Sequence, residues 1–468
     1  MRLSRLLARA AVLAAVVAPA LPGIATTTTT TGAALRTAAT VQKLAVGTTK
    51  TVAVPVRSHD RLVGVTWAGG APDVAIRWRL RSGWTPWTAL ENDTGTPNAT
   101  ERASARPGTE PAWRPDGALD AAVRIASGAK AAADVRVVVV GDVIHRALIG
   151  VHTAGRAAEA ATGKAALGHV YTRHDWGANE SLRRCGPSYA KSNVAVVVHH
   201  TAQTNSYSSG DVPGMIRSDY TYHVQSRGWC DIGYNLLVDR FGRIWDGRYG
   251  GIGRAVIGAH AEGFNTGTVG VAYLGSTDHY APGSAARAAF ARVAVYAATT
   301  WHFDPASTVV MTSGGSPRYA AGKRVRLNRV LGHRDTGQTA CPGAHLYADL
   351  GGIRSAAHYD IYAPHFTSVT VSGAPVHAPK PVTIRLGLSK TAHWSITIKD
   401  SSGHTVAGYH ATGRIAQYSW DGQHVLVGGV RVPYGPQRFS WYATAVAGHD
   451  SAHPVSGHFN TGSPYVAR

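Results

Sequence analysis

The stretch VVVHHTA, residues 196–202, ends a run of β-branched residues in two adjacent histidines, His199 and His200. Far downstream, LGHRDTGQTACPG (331–343) sets His333 a short loop ahead of Cys341. Imidazole and thiolate are the ligands that zinc prefers, and three protein ligands with the fourth position left to water is the catalytic arrangement. His199 or His200, with His333 and Cys341, would supply those three. The chain has three cysteines, Cys185, Cys230 and Cys341. An odd number leaves either a free thiol or one thiol on a metal. With Cys341 on a metal, Cys185 and Cys230 are left to pair with each other.

These residues need a scaffold that brings distant segments together. From about 168 to 360, strand-like and helix-like stretches alternate, which predicts a mixed β-sheet with flanking helices. VAVVVHH reads as a short buried strand ending at the histidines. DVPGMIRSDYTYHVQSRG reads as a helix between Asp211 and Gly228. YNLLVDRFGRIWDGR reads as a hairpin turning at Phe241-Gly242, TVGVAYLG as a strand and SAARAAFARVAVYAATTWHF as a long helix. RVLGHRD is a strand running into a loop. Ahead of this region, residues 42–142 carry strand-like pieces separated by Gly/Pro/Asp clusters, an all-β module. An Ala/Gly-rich linker spans 143–167. Behind it, 364–462 alternates polar and apolar residues in the manner of a sandwich.

The length of 468 residues suggests two to four domains at roughly 150 residues each, and 44% hydrophobic residues suffice to build their cores. The formal net charge of +20 draws the surface to polyanions. The basic residues are scattered and no zinc-finger or RNA-binding spacing occurs, which argues against nucleic acid and leaves anionic lipid or acidic cell-wall polymers as partners. Residues 1–25 have Arg2, Arg5 and Arg9, an apolar run from Ala10 to Ala18, and small residues around Ala25. That is the pattern of a secretory signal, predicting an exported, extracellular protein. The Thr/Ala-rich stretch 26–41 is expected to be a disordered leader. No later segment is apolar enough for the ~20 residues a transmembrane span needs. Nothing in the sequence fixes the oligomeric state.

Five motifs in order carry a resemblance: RHDWGA (173–178), VVVHHTA (196–202), WCDIGYNLLVDRFGRIWDGR (229–248), IGAHAEGFNTGTVGVAYLG (257–275) and LGHRDTGQTACPG (331–343). Residues 168–360 resemble the peptidoglycan recognition protein and zinc-dependent N-acetylmuramoyl-L-alanine amidase family. The resemblance implies a zinc site in an open groove, with His199, His333 and Cys341 as ligands. It implies an active-site hydroxyl at Tyr234 and a second at Thr339. His260 would contact substrate in the groove, Trp176 and Asn265 would stand at groove or wall positions, and Arg254 is a candidate for selecting the stem peptide. The substrate would be peptidoglycan, cut between N-acetylmuramic acid and L-alanine. His200, on the opposite face of the strand from His199, would have a packing role. A Cys185–Cys230 bridge would brace the wall carrying Tyr234, contributing ~4 kcal/mol in the chain-entropy model. No glutamate occupies a motif position suited to a general base.

The alternative is a non-catalytic peptidoglycan-binding receptor or an adhesin, since family members without the zinc cysteine bind the polymer uncut. The intact ligand set favours the enzyme. In the N-terminal module, Trp78, Trp84, Trp87 and Trp113 would either stack on sugars or fill a core. This module resembles the β-domain ahead of the amidase in other exported actinobacterial amidases. The C-terminal module resembles the flagellar hook-capping Ig-like domain, through Trp420, Asp421, Gly422, Gly429, Pro433, Gly435 and Trp441.

Overall fold

The computed structural model describes residues 36–44, 50–58, 60–93, 104–126, 132–143, 164–373, 381–425, 431–433 and 437–460. The expected signal (1–25), most of the leader (26–35), most of the linker (144–163), and Gly429 and Gly435 lie outside the described residues. The middle of the chain is built on a six-stranded sheet. Its strands are β1 (Val170–Tyr171), β2 (Ala195–His200), β3 (Leu236–Val238), β4 (Ile244–Asp246), β5 (Thr268–Tyr273) and β6 (Val330–Gly332). Their order across the sheet is β1-β4-β3-β5-β2-β6. The β3–β4 hairpin is antiparallel and every other neighbouring pair is parallel.

All six residues of β2 are buried, because the sheet is covered on both faces. Side chains alternate between those faces. Val196 and Val198 pack beneath helices α2 (Ser284–Trp301) and α3 (Ala344–Tyr362), against Phe290, Val293, Leu346 and Leu350. The opposite face takes Leu237, Trp245 and Ala272, covered by Met215, Ile216 and Tyr220 of α1 (Val212–Thr221). Helix α1 runs straight into a wide turn at Tyr222–Ser226. Nearly every residue of α1 is buried, although it is a helix of modest hydrophobicity. The reason is a second layer: Leu62, Val138 and Val140 of the N-terminal module pack on Tyr222. A Cβ at Gly64 would lie 2.5 Å from the Tyr222 ring, so glycine is required for this close approach.

The N-terminal module has two antiparallel sheets with Val63, Val65, Trp67, Ile76, Trp78 and Val137 between them. Trp78 is core, Trp84 is 42% exposed, and Trp87 sits beneath the guanidinium groups of Arg77 and Arg124. Two boundary expectations need correction. Residues 36–41, expected in a disordered leader, belong to a strand, Arg36–Leu44, paired from Arg36↔Val143 to Leu44↔Val135. Its Thr and Val residues suit a strand, and the valine run 137–140 offers an edge to pair with. At the end of the expected linker, Lys164–Leu167 is a helical turn whose Leu167 enters the core beside α2.

The C-terminal region is β-rich. Its long strand Val382–Lys399 pairs with Thr405–Trp420 and Arg438–Ala447, and buries Ile384, Leu386, Trp394, Ile396, Trp441 and Phe459. No helix among the described residues is long and apolar enough to cross a membrane.

Candidate functional site

Strand register places the two histidines. Val198 lies opposite Gly332, so His199 and His333 are the next residues along two adjacent parallel strands. Their rings meet with centroids 4.5 Å apart. Ligand sites in sheets of this kind form at the carboxyl ends of the strands, where the chain leaves for a loop or helix. Here the loop after His333 leads to Cys341, just ahead of α3. The thiol is free and buried, and its sulfur lies 3.7 Å from His199 Nδ1. The ligand atoms of His199, His333 and Cys341 all lie within 4.8 Å of one another. This is the group among the described residues that could hold a metal ion. His200 points to the other face, where its Nδ1 accepts from Thr277 N at 3.3 Å.

The donors suit a metal. The three residues are at most 2% exposed. Burial, and the other imidazoles nearby, hold His199 well below the usual imidazole range, and burial brings His333 down to about 3. At neutral pH both rings are uncharged and offer lone pairs, as coordination requires. Burial pushes the Cys341 thiol well up, with the Glu110 carboxyl adding to the effect. A dication would offset that, because a coordinating thiol is deprotonated outright.

His260 stands behind His199. Its Nδ1 lies 3.1 Å from His199 Nε2, and its Nε2 lies 3.5 Å from Thr268 Oγ1. Thr268 gives its proton to the Phe264 carbonyl at 2.7 Å, so it accepts from His260. His260 Nδ1 then accepts from His199 Nε2, which leaves His199 Nδ1 with its lone pair toward Cys341. The His260 ring lies against Gly270, where any Cβ would collide with it. Tyr234 completes the cluster, 5.4 Å from His199 between ring centroids. Its burial holds the hydroxyl protonated. The neighbouring Asn235 ties strands together: its Oδ1 accepts from Gly270 N at 2.8 Å and its Nδ2 donates to Val256 O at 2.9 Å.

Residues 190–344 match the family model described as N-acetylmuramoyl-L-alanine amidase. Residues 19–139 match a model described as Rv3811 N-terminal galactose-binding domain-like. Peptidoglycan recognition protein 1 of Bos indicus is 32% identical over 182 residues, which are 38% of this chain and 81% of that relative. The chain belongs to the peptidoglycan recognition protein family. Peptidoglycan-recognition protein LB of Drosophila melanogaster is 27% identical over 205 residues, 44% of this chain and 72% of that relative. The solved structure of wild-type Drosophila PGRP-LB is 27% identical, covering 39% of this chain and 92% of its own, with a TM-score of 0.31.

Against the family's pattern, several expected groove residues stand elsewhere. Trp176 is fully buried; its indole donates to Asp246 O at 2.7 Å and its ring packs on Tyr220, so it fills a core and touches no groove. Asn265 accepts from His260 N and Ala261 N at 2.8 Å each and holds the turn that carries His260. His260 itself, 2% exposed, faces His199 and not the solvent side of a groove. Thr339 spends its one proton on Glu91, at 3.1 Å, and accepts from Cys341 N at 3.0 Å. In this arrangement it anchors a loop and cannot also donate to substrate. Arg254 is exposed, stacked 3.6 Å over the Tyr189 ring. Cys185 and Cys230 form a disulfide with Cα atoms 5.3 Å apart.

Sequence reasoning missed the acidic residues of the N-terminal module. Glu91, Asp93 and Glu110 approach the cluster from a segment far away in sequence. Asp93 pairs with buried Arg227. Glu110 is 8% exposed, and burial, with Asp93 beside it, raises its carboxyl well above the ordinary range. No local signal in WTALEND or GTEPAW marks them out. The three candidate ligands are at most 2% exposed, and Glu91 of the N-terminal module holds the loop that leads to Cys341.

Proposed function

We propose that this protein is an exported, zinc-dependent N-acetylmuramoyl-L-alanine amidase that cleaves the amide between N-acetylmuramic acid and L-alanine in peptidoglycan. Family membership supports peptidoglycan binding or hydrolysis. The observation that favours hydrolysis is the convergence of two imidazoles, at the ends of β2 and β6, with the thiol of the loop ahead of α3.

His199, through Nδ1, with His333 and Cys341 would hold the ion. When bound, zinc would polarise the scissile carbonyl and activate water for attack at neutral pH. The chain's own residues do the rest. His260 fixes the tautomer and the ring plane of His199, a role that partners of metal-bound histidines commonly serve. Tyr234 keeps its proton and serves as donor to the oxygen that gains charge as the amide is attacked. Arg254 is the candidate for contact with the stem peptide. Export accords with the disulfide, which oxidising compartments favour. The +20 charge would retain the protein on anionic wall polymers, an attraction screened over ~8 Å at physiological salt. The β-rich C-terminal region is assigned an Ig-like sandwich on its sequence pattern alone.

The test is incubation of purified muropeptides with wild-type protein, EDTA-treated protein and Cys341→Ala. Mass spectrometry should find free glycan and a stem peptide with a new L-alanine amino terminus in the first case only. Binding without cleavage by zinc-loaded wild type would replace this reading with that of a receptor.

A further inference from the structure

The loop that carries Cys341 is held from outside its own domain. Glu91 lies between the strands Thr88–Leu90 and Asn92–Asp93 of the N-terminal module. Its Oε2 accepts from Thr339 Oγ1 at 3.1 Å and from Ala340 N at 3.3 Å. Thr339 Oγ1 accepts in turn from Cys341 N at 3.0 Å. One carboxylate oxygen therefore orients a hydroxyl, and that hydroxyl orients the backbone of the thiol-bearing residue. The carboxylate itself is fixed. Its backbone carbonyl accepts from Glu110 N at 2.8 Å, and two residues on, Asp93 pairs with Arg227 beneath Trp229. A cleft of about 450 Å3 opens beside this contact, lined from both modules by Asn92, Asp93, Arg106, Trp229, Glu262 and Gln338. Gln338 adjoins Thr339 and Asn92 adjoins Glu91, so the cleft runs beside the contact between the two modules.

We propose that Glu91 is a positioning residue of the amidase site, through which the N-terminal module holds the Thr339–Cys341 loop in its metal-binding form. The site is then composite, and the module is a working part of the hydrolase. This rests on the zinc-amidase reading for its consequence in catalysis, and on geometry alone for its consequence in metal retention. A group that oriented the loop should tolerate a neutral acceptor. Glu91→Gln keeps a carbonyl oxygen able to accept from both donors, whereas Glu91→Ala leaves both without their partner.

The experiment uses full-length protein loaded with zinc. Release of the ion to a colorimetric chelator is followed for wild type, Glu91→Ala and Glu91→Gln, with thermal unfolding as a control. Outer partners of metal ligands typically matter 10–100-fold, so Glu91→Ala should release zinc at least ~10-fold faster. It should also lower kcat on muropeptide by ~10-fold with KM changed by less than about threefold, while Glu91→Gln stays within about threefold of wild type throughout. Equal zinc release from wild type and Glu91→Ala overturns the proposal. So does higher activity in Glu91→Ala, which would make the module a cover that blocks the site. If Glu91→Ala does not fold, Glu91→Asp, one methylene too short to reach both donors, takes its place with the same expectation. If even wild type releases no L-alanine, the amidase reading fails, and the zinc comparison still decides the role of Glu91.

Discussion

The central domain meets its two neighbours in different ways. On the N-terminal side the junction is buried and interlocked. Tyr222 Oη donates to Thr109 O at 2.8 Å, Arg227 Nε donates to Arg106 O at 2.7 Å, and the Arg227–Asp93 pair is almost wholly enclosed, at 2% and 5% side-chain exposure. On the C-terminal side the contacts are half-exposed. His358 of α3 reaches Asp450 at 3.5 Å, Lys390 Nζ donates to Tyr362 O at 2.7 Å, and His453 N donates to Tyr359 Oη at 2.7 Å. A charge pair out of water fixes one geometry and is costly to break, whereas a half-solvated pair contributes little. The first junction therefore builds the site and the second tethers a neighbour.

Substitutions at the two junctions and at the cluster should separate these roles. The largest effect is expected at the cluster. Cys341→Ala should abolish amide release and lower zinc content from about one ion per chain to near zero, while urea unfolding shows the N-terminal junction intact. Next is Arg227→Ala, which removes the enclosed guanidinium from beside the Asp93 carboxylate. It should cost about 3–5 kcal/mol of stability by urea denaturation. A loss near zero would show that the two modules unfold independently. Tyr234→Phe should lower kcat by ~10²–10³-fold with the fold and the zinc unchanged, as removal of one oxyanion donor does. A fall in zinc affinity instead would assign Tyr234 to packing.

The smallest effect belongs to His358 on α3, which pairs with Asp304 of its own domain and reaches Asp450 across the C-terminal junction. The Asp304 carboxylate, 2.8 Å from His358 Nδ1, and then Asp450 raise the imidazole above its unfolded value near 6.5. A raised folded value means that the stabilisation is complete below about pH 6.5 and is lost as pH rises through the folded value. His358→Gln should therefore be less stable than wild type by ~0.5 kcal/mol at pH 5.5, and equal to it at pH 9. A difference that grew with pH would contradict the pairing.

What the sequence made legible follows from the same distinction. His199 and His333 could be read because each ends an apolar strand, and parallel register brings such ends together. Cys341 stood out as the odd cysteine. The long helix Ser284–Trp301 and the turn at Gly242 were written in local composition. Trp176 was misplaced because an aromatic in a motif has the same letters whether it fills a core or lines a groove. Asn265 and His260 were placed one layer too far out, since motif position does not say which side of a ring faces the solvent. Glu91 and Thr339 are 248 positions apart, and their contact exists only once Leu62, Val138 and Val140 have docked on Tyr222. No periodicity within either segment records that event.

The central claim is that zinc at His199, His333 and Cys341 makes this protein a hydrolase. The most direct measurement is a zinc titration of metal-free wild-type protein, with release of amino-terminal L-alanine from purified sacculi as the signal. The account predicts that release rises with added zinc, saturates at about one equivalent per chain, and stays at background throughout for Cys341→Ala. Full release without zinc, or none at saturation with the ion bound, would contradict it.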